Sequence, residues 1–406
     1  WTKSSEFIKP RAYEKPKEDV LMQQVYRWLP AFVLVGVCLA ANTVFGEGLR
    51  LDALERLDPA SATPTDDGKL LYYEVRGLDI EGKGWQDTEA YYDRLPAKAK
   101  GVAPDSVWGL SKHSSGMAVR FVTDAACIAC RWTVINDELG MKHMPATGVS
   151  GVDLYVNDNG TWRWIGAGRP TAKTSEATLA DGIPEGPHEF IAYLPLYNGT
   201  ESMALGVPPE ATLAKAPPRE GNRGKPIVFY GTSITQGGCA SRPGMGYTAI
   251  LGRHLDWATI NLGFSGSGRG EIELADLLTE IDAAAYVLDC VPNMSPEVVT
   301  ERIEPFVKRL RSAHADTPIV LVENIRYQAG AFLPERRKSY EDKNVALRAA
   351  YGRLQADGVQ GLTYIPSDAL LGDDGEATVD GTHLTDLGFL RYSDAVAPVL
   401  RGILAP

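Results

Sequence analysis

The sequence predicts two folds in series: an antiparallel β-sandwich, then an α/β domain of three layers, with helices on both faces of a central parallel sheet. Two observations carry this. Residues 70–210 hold short β-type runs separated by turn signals, whereas from Pro226 onward short apolar runs alternate with amphipathic stretches of helix length. Between them the polar stretch 213–225 (LAKAPPREGNRGK), rich in Pro and Gly, reads as a linker.

The sandwich elements are the runs 70–75, 117–123, 131–136, 152–156, 161–166 and 188–194. Asn157-Asp158-Asn159-Gly160 is a turn, and the TWRW after it alternates as a strand does. Beyond the linker, PIVFY (226–230) is a strand, followed by a Gly-bounded turn and a helix around 247–255. ATINLGF, a helix near 271–281, AYVLDC, a helix over about 296–314 and PIVLVEN follow. A helix over about 334–356, the strand LTYI and a helix from about Leu384 complete the order. Strands apolar throughout and bounded by helices belong to a parallel sheet covered on both faces. In such sheets the reactive residues sit on loops after the strand C-termini.

The 406 residues, 44% hydrophobic and 23% charged, exclude a disordered or collagen-like chain and suffice for two cores. A net charge of −11 without a basic run argues against a nucleic-acid partner. Residues 31–41 (AFVLVGVCLAA) form an apolar run too short to span a bilayer comfortably. It suits the h-region of a signal peptide over about 22–46, with Arg27 before it and Gly46 as a cleavage point. An uncleaved anchor is the alternative. The expected organisation is therefore 1–46 upstream sequence and signal, 47–220 sandwich and linker, and 221–406 α/β domain. The product would be secreted or periplasmic, with no stable membrane insertion. Residues 1–46 hold six basic and four acidic side chains, so the remainder carries −13.

Cys127 and Cys130 form a C-x-x-C, but no second Cys pair or His cluster accompanies them, so they read as structural. Cys239 and Cys290 read as buried thiols, with a disulfide as the alternative.

Four strand-end loops carry chemistry. Ser233 lies in Gly231-Thr232-Ser233, a strand-to-helix turn that exposes a hydroxyl. Gly263 follows the second strand, where a glycine lets a backbone N–H approach a ligand. Asn293, after the third strand, offers an amide donor. Asp380 stands three residues before His383, a spacing that lets the carboxylate accept the Nδ1 proton and frees Nε2 as a base.

These four blocks, in this order, resemble the SGNH (GDSL-type) hydrolase superfamily over nearly all of 226–406. Thr232 stands where the family commonly has Asp, and Val291-Pro292-Asn293-Met294 replaces Gly-x-Asn-Asp. The stretches 107–121 (VWGLSKHSSGMAVRF), 143–151 (HMPATGVSG) and the GVDLY at 151–155 resemble the subgroup with a GxDLY-bearing N-terminal sandwich, several of whose members look like carbohydrate esterases. The resemblance implies a catalytic Ser233–His383–Asp380 set, an oxyanion hole from Ser233, Gly263 and Asn293, and no metal or cofactor. The partner it implies is a small-molecule or glycan ester. Asp153 within GVDLY reads as a structural acceptor. Trp85, Trp108, Trp162 and Trp164 either fill the sandwich core or stack on sugar rings. The leading expectation is a deacetylase of carbohydrate esters, the alternatives a general short-chain or aryl esterase and an inactive carbohydrate-binding protein. The sandwich either binds glycan or walls the active site through loops near His113 and His143.

Overall fold

The computed structural model describes residues 49–404, so the expected signal segment lies outside them. The N-terminal part is a sandwich of two antiparallel sheets. One runs in spatial order Thr63–Pro64, Leu71–Glu74, Thr200–Val207, Cys127–Val134 and Thr174–Asp181. The other runs Leu213–Lys215, Ala118–Thr123, His188–Tyr193, Val152–Asp158 and Thr161–Gly168, with Ile80–Glu81 also paired to Ala118–Thr123. Inward side chains from both sheets, among them Phe121, Trp132, Leu154, Phe190 and Leu205, form its core, and Phe121 stacks on Phe190 at 5.4 Å.

Three sequence expectations change here. Thr174–Asp181 and Thr200–Val207 are strands the hydrophobic pattern did not single out. Their outward Thr, Glu and Ser residues dilute the apolar signal. The linker is shorter than composition suggests: Leu213–Lys215 pair with Phe121–Thr123 as an edge strand, and Leu213 enters the core. Arg219 is then fixed by Glu81 (2.9 Å) and Asp256 (2.7 Å), which ties the connection to both domains. Lastly, of the four tryptophans none is in the sandwich core, which takes Trp132 instead. Trp85 packs in the core of the following domain and donates Nε1–H to Glu280, and Trp108 packs against the same core.

The C-terminal domain has five parallel strands: β1 (Ile227–Gly231), β2 (Thr259–Gly263), β3 (Ala285–Asp289), β4 (Ile319–Val322) and β5 (Leu362–Ile365), in spatial order β2-β1-β3-β4-β5. Period-two alternation divides each strand between two cores. Ile227 and Phe229 face the layer of α2 (Tyr247–Leu255) and α6 (Asp386–Leu404), through Ile250, Leu251, Phe389 and Val396. Val228 and Tyr230 face the layer of α3 (Ile272–Leu278), α4 (Pro296–Ala313) and α5 (Pro334–Ala356), through Leu277, Phe306 and Leu347. This is the expected α/β/α arrangement. No helix among the described residues is long and apolar enough to cross a membrane.

Candidate active site

β1 stops at Gly231 because the chain must turn tightly there. A Cβ on Gly231 would meet Thr235 Oγ1 at 2.0 Å and the Asp289 carbonyl at 2.7 Å. A one-turn helix, α1 (Ser233–Gln236), starts at once. Thr232 caps it: its hydroxyl accepts from Ile234 N–H (3.2 Å), while Thr235 Oγ1 accepts from Thr232 N–H (3.3 Å). Ser233 is thereby set at the first helical position, at the C-terminal edge of the sheet, 7% exposed.

The structure joins the three predicted residues in one hydrogen-bonded line. Ser233 Oγ lies 2.8 Å from His383 Nε2, and His383 Nδ1 lies 2.7 Å from Asp380 Oδ2. Asp380 Oδ1 accepts main-chain N–H bonds from Thr382 (3.0 Å) and His383 (2.8 Å), which locks the turn. Partial burial pushes the Asp380 carboxyl up, but the His383 main-chain N–H and ring and the Thr382 N–H outweigh it and hold the pKa down to about 2. The carboxylate stays ionised, which leaves the Nδ1 proton on His383 and the Nε2 lone pair facing Ser233.

Two loops flank Ser233, since β2 and β3 border β1 with Gly231 opposite both Gly263 and Asp289. The Ser233 N–H makes no hydrogen bond among the described residues. Asn293 Nδ2 makes one long contact, 3.4 Å to the Phe264 carbonyl, and retains a second hydrogen. Gly263 departs from expectation. Its N–H is donated to Asn261 Oδ1 at 2.9 Å and is not available to a ligand. Gly263 is glycine for packing: a Cβ there would meet Gln236 N at 2.2 Å. The unengaged amide in this loop belongs to Gly266, whose φ of +68° favours glycine and around which a Cβ would meet nothing within 4 Å. Three glycines lie within 263–268, so spacing could not choose among them.

The sandwich side of the chain reaches into this site. Arg94, 1% exposed, donates to the carbonyls of Gly263 (2.7 Å), Asn261 (3.1 Å), Leu110 (2.7 Å) and His113 (2.8 Å), with no carboxylate in the set. Gln236 Nε2 donates to His113 Nδ1 (3.0 Å), and Gln236 Oε1 accepts from Ser265 N–H (3.0 Å). Burial, then the Arg94 charge, pushes His113 down to about 4, so it remains the neutral acceptor this bond requires. His143 stands with its ring 5.7 Å from that of His383. Asp153 of the GVDLY strand, wholly buried, accepts from Arg242 Nη1 (2.7 Å), Gly244 N–H (3.0 Å) and Trp164 Nε1 (2.6 Å). The same turn holds Ser241 to Asp386 at the start of α6. Trp164 is half-exposed, under the Arg242 guanidinium at 5.0 Å.

Comparison with known proteins bears on the fold and the family. Residues 224–401 match the GDSL-like lipase/acylhydrolase family, and residues 70–213 match GxDLY, the N-terminus of SGNH-hydrolase-type esterases. A GDSL-like lipase from Bacteroides ovatus is similar at 37% identity and a TM-score of 0.78, over 82% of this chain and 98% of that one. The chain belongs to the SGNH (GDSL-like) hydrolase family. The salicylyl-acyltransferase SsfX3 of a tetracycline biosynthetic pathway shares the fold at 19% identity and a TM-score of 0.66, over 85% and 97% of the two chains. So does a family two carbohydrate esterase from Clostridium thermocellum, solved with cellohexaose, at 13% identity and 0.51, over 71% and 93%. The curated proteins contain no match.

In this SGNH hydrolase a cleft of about 1000 Å³ adjoins the site through Asn293 and Ser267; its lining includes Arg269, Glu273, Arg302, Ile272 and Val298 but neither Ser233 nor His383. Family membership brings the coarse chemistry, hydrolysis of esters. The four cysteines of the described residues are free, so Cys239 and Cys290 form no disulfide. Cys130 is in the sandwich core, as expected of a structural thiol. Burial pushes the Cys239 thiol up to about 12, with Asp380 adding to the effect.

Proposed function

We propose that the protein is a serine esterase that removes acetyl groups from a carbohydrate. The observation that carries the chemistry is the unbroken Ser233–His383–Asp380 line. Ser233 Oγ attacks the ester carbonyl while His383 Nε2 takes its proton. His383 then returns the proton to the leaving alkoxide, and the acyl-enzyme is hydrolysed by water through the same base. Asp380 keeps the imidazole in the required tautomer and stabilises its cation. The Ser233 and Gly266 amides with Asn293 Nδ2 would receive the oxyanion; one such donor is worth about 2.7–4 kcal/mol in the transition state.

The carbohydrate reading is supported by the lining of the cleft. Arg269, Glu273, Glu301 and Arg302, in a lining shared with Ile272, Val298 and two prolines, suit a hydroxyl-rich substrate on the Asn293 side and would desolvate poorly against a long acyl chain. The sandwich-plus-SGNH fold shared with family two carbohydrate esterases agrees with this at the level of fold. The expected export signal would bring the enzyme to polysaccharide. Acetate release from acetylated xylan, compared with p-nitrophenyl butyrate hydrolysis, tests the proposal. Higher kcat/KM on the glycan, lost in Ser233→Ala, supports it. Turnover confined to the aryl ester would instead make this a general short-chain esterase.

A further inference from the structure

We propose that His143, Cys239 and His383 form a binding site for a thiophilic divalent ion such as Zn²⁺, and that the ion inhibits the enzyme by capturing its base. One donor atom from each of the three residues lies within 4.8 Å of the others. In a tetrahedral zinc site, bonds of about 2.0–2.3 Å set ligand atoms roughly 3.3–3.8 Å apart. Closing on an ion therefore requires side-chain adjustment of about an ångström. His143 is exposed and can supply that movement.

The backbones of the other two ligands are set by local bonds, which leaves the Cys239 sulfur free to turn about its Cα–Cβ bond toward the ion. Cys239 has φ +72°, a left-handed conformation unfavourable to a residue with a Cβ. It is imposed by the turn after Ser233, where Gly238 N–H bonds the Ser233 carbonyl (2.7 Å) and Ala240 N–H bonds that of Gly237 (3.1 Å). His383 is fixed by Asp380. Two imidazoles and one sulfur select zinc-like or cuprous ions over magnesium or calcium, which prefer oxygen.

The inhibitory consequence follows from one lone pair. His383 Nδ1 is held by Asp380, so Nε2 is the only nitrogen left to bind a metal, and it is the atom that accepts the Ser233 hydroxyl. On coordination the Cys239 thiol proton passes to solvent, the sulfur and the two ring nitrogens donate to the ion, and water completes the set. The Ser233 hydroxyl then has no base. No redox change is involved.

The inhibitory arm rests on the proposed esterase mechanism; the binding arm does not. The full chain, stripped with EDTA and freed of chelator, is titrated with Co²⁺ while thiolate-to-cobalt charge-transfer absorption is followed. One equivalent is expected to saturate the band, Zn²⁺ to abolish it, and Cys239→Ser to eliminate it. His143→Ala is expected to weaken binding at least about tenfold. In parallel, Zn²⁺ should stop p-nitrophenyl acetate hydrolysis reversibly, with half-inhibition shifted at least about tenfold in each variant relative to its own metal-free rate. No band in the wild type, or a band unchanged by Cys239→Ser, overturns the site. A band without loss of turnover overturns its inhibitory role. A band in a protein inactive on every ester upholds the site and removes the esterase reading instead.

Discussion

The carboxylate of Asp153, on a sandwich strand, is paired at 2.7 Å with Arg242 of the hydrolase domain, and the carboxylate has no exposed surface. Burial pushes its pKa up and Arg242 opposes that, so the carboxylate depends on its partner. Asp153→Ala would leave Gly244 N–H and Trp164 Nε1–H without their acceptor and strip Arg242 of its carboxylate partner. The expected loss is about 3–5 kcal/mol, read as a lower denaturant midpoint, since removing one member strands the other. Asp153→Asn should lose less. An unchanged midpoint for the alanine variant would show that the GVDLY aspartate does not join the domains.

Arg94 ties the loop after β2 to the segment that carries His113, through carbonyl acceptors alone. Arg94→Lys keeps the charge but loses the fork that reaches four oxygens. We expect lower stability together with a fall in kcat larger than any rise in KM, because the Gly266 amide loses its support. Equal kcat with lower stability would confine Arg94 to folding.

Asn293 is half-buried and makes one long internal contact, so Asn293→Ala should leave the melting temperature nearly unchanged. Loss of an oxyanion donor should lower kcat about 10²–10³-fold with little change in KM. Gly263→Ala should fail to fold, given the 2.2 Å approach to Gln236 N. Gly266→Ala, with open space around it, should fold at a cost of about 1–2 kcal/mol for its positive φ. Stable, active Gly263→Ala protein would refute the packing argument.

Asp289 ends β3 in full burial, and burial pushes its pKa up to about 7 against bonds from Tyr247 (2.9 Å) and Thr235 (3.2 Å). The unfolded value is about 3.9, so the folded protein holds this proton where the unfolded chain has lost it. The Asp289 contribution to stability is therefore full below about pH 4, falls as pH rises to about 7 and is level above. Relative to wild type, Asp289→Asn should gain stability across that interval, by at most about 4 kcal/mol at pH 8. A variant-minus-wild-type difference independent of pH would contradict the buried-acid account.

Much of the α/β domain is legible in sequence. Apolar runs such as IVFY and IVLV are buried on both faces and so carry no polar residues to blur them, and Pro334 at the first turn of α5 marks a boundary directly. The Asp380–His383 pair is legible because both partners lie in one turn. What is not legible depends on contacts distant in the chain. Asn261 folds back on the Gly263 amide, Arg219 is drawn in by Glu81 and Asp256, and Trp85 leaves the sandwich for the other core. Local composition holds no signal for such pairings. His113 lies in the 107–121 stretch that the sequence singles out, but its bond to Gln236 joins residues far apart in the chain and has no local signal.

The central claim is that Ser233 is the nucleophile activated by His383. Labelling of the folded wild-type chain with a fluorophosphonate, followed by mass-spectrometric location of the adduct, tests it most directly. The account predicts one adduct, on Ser233, absent from Ser233→Ala and strongly slowed in His383→Ala. An adduct on another serine, or an unlabelled protein that still hydrolyses esters, would contradict it.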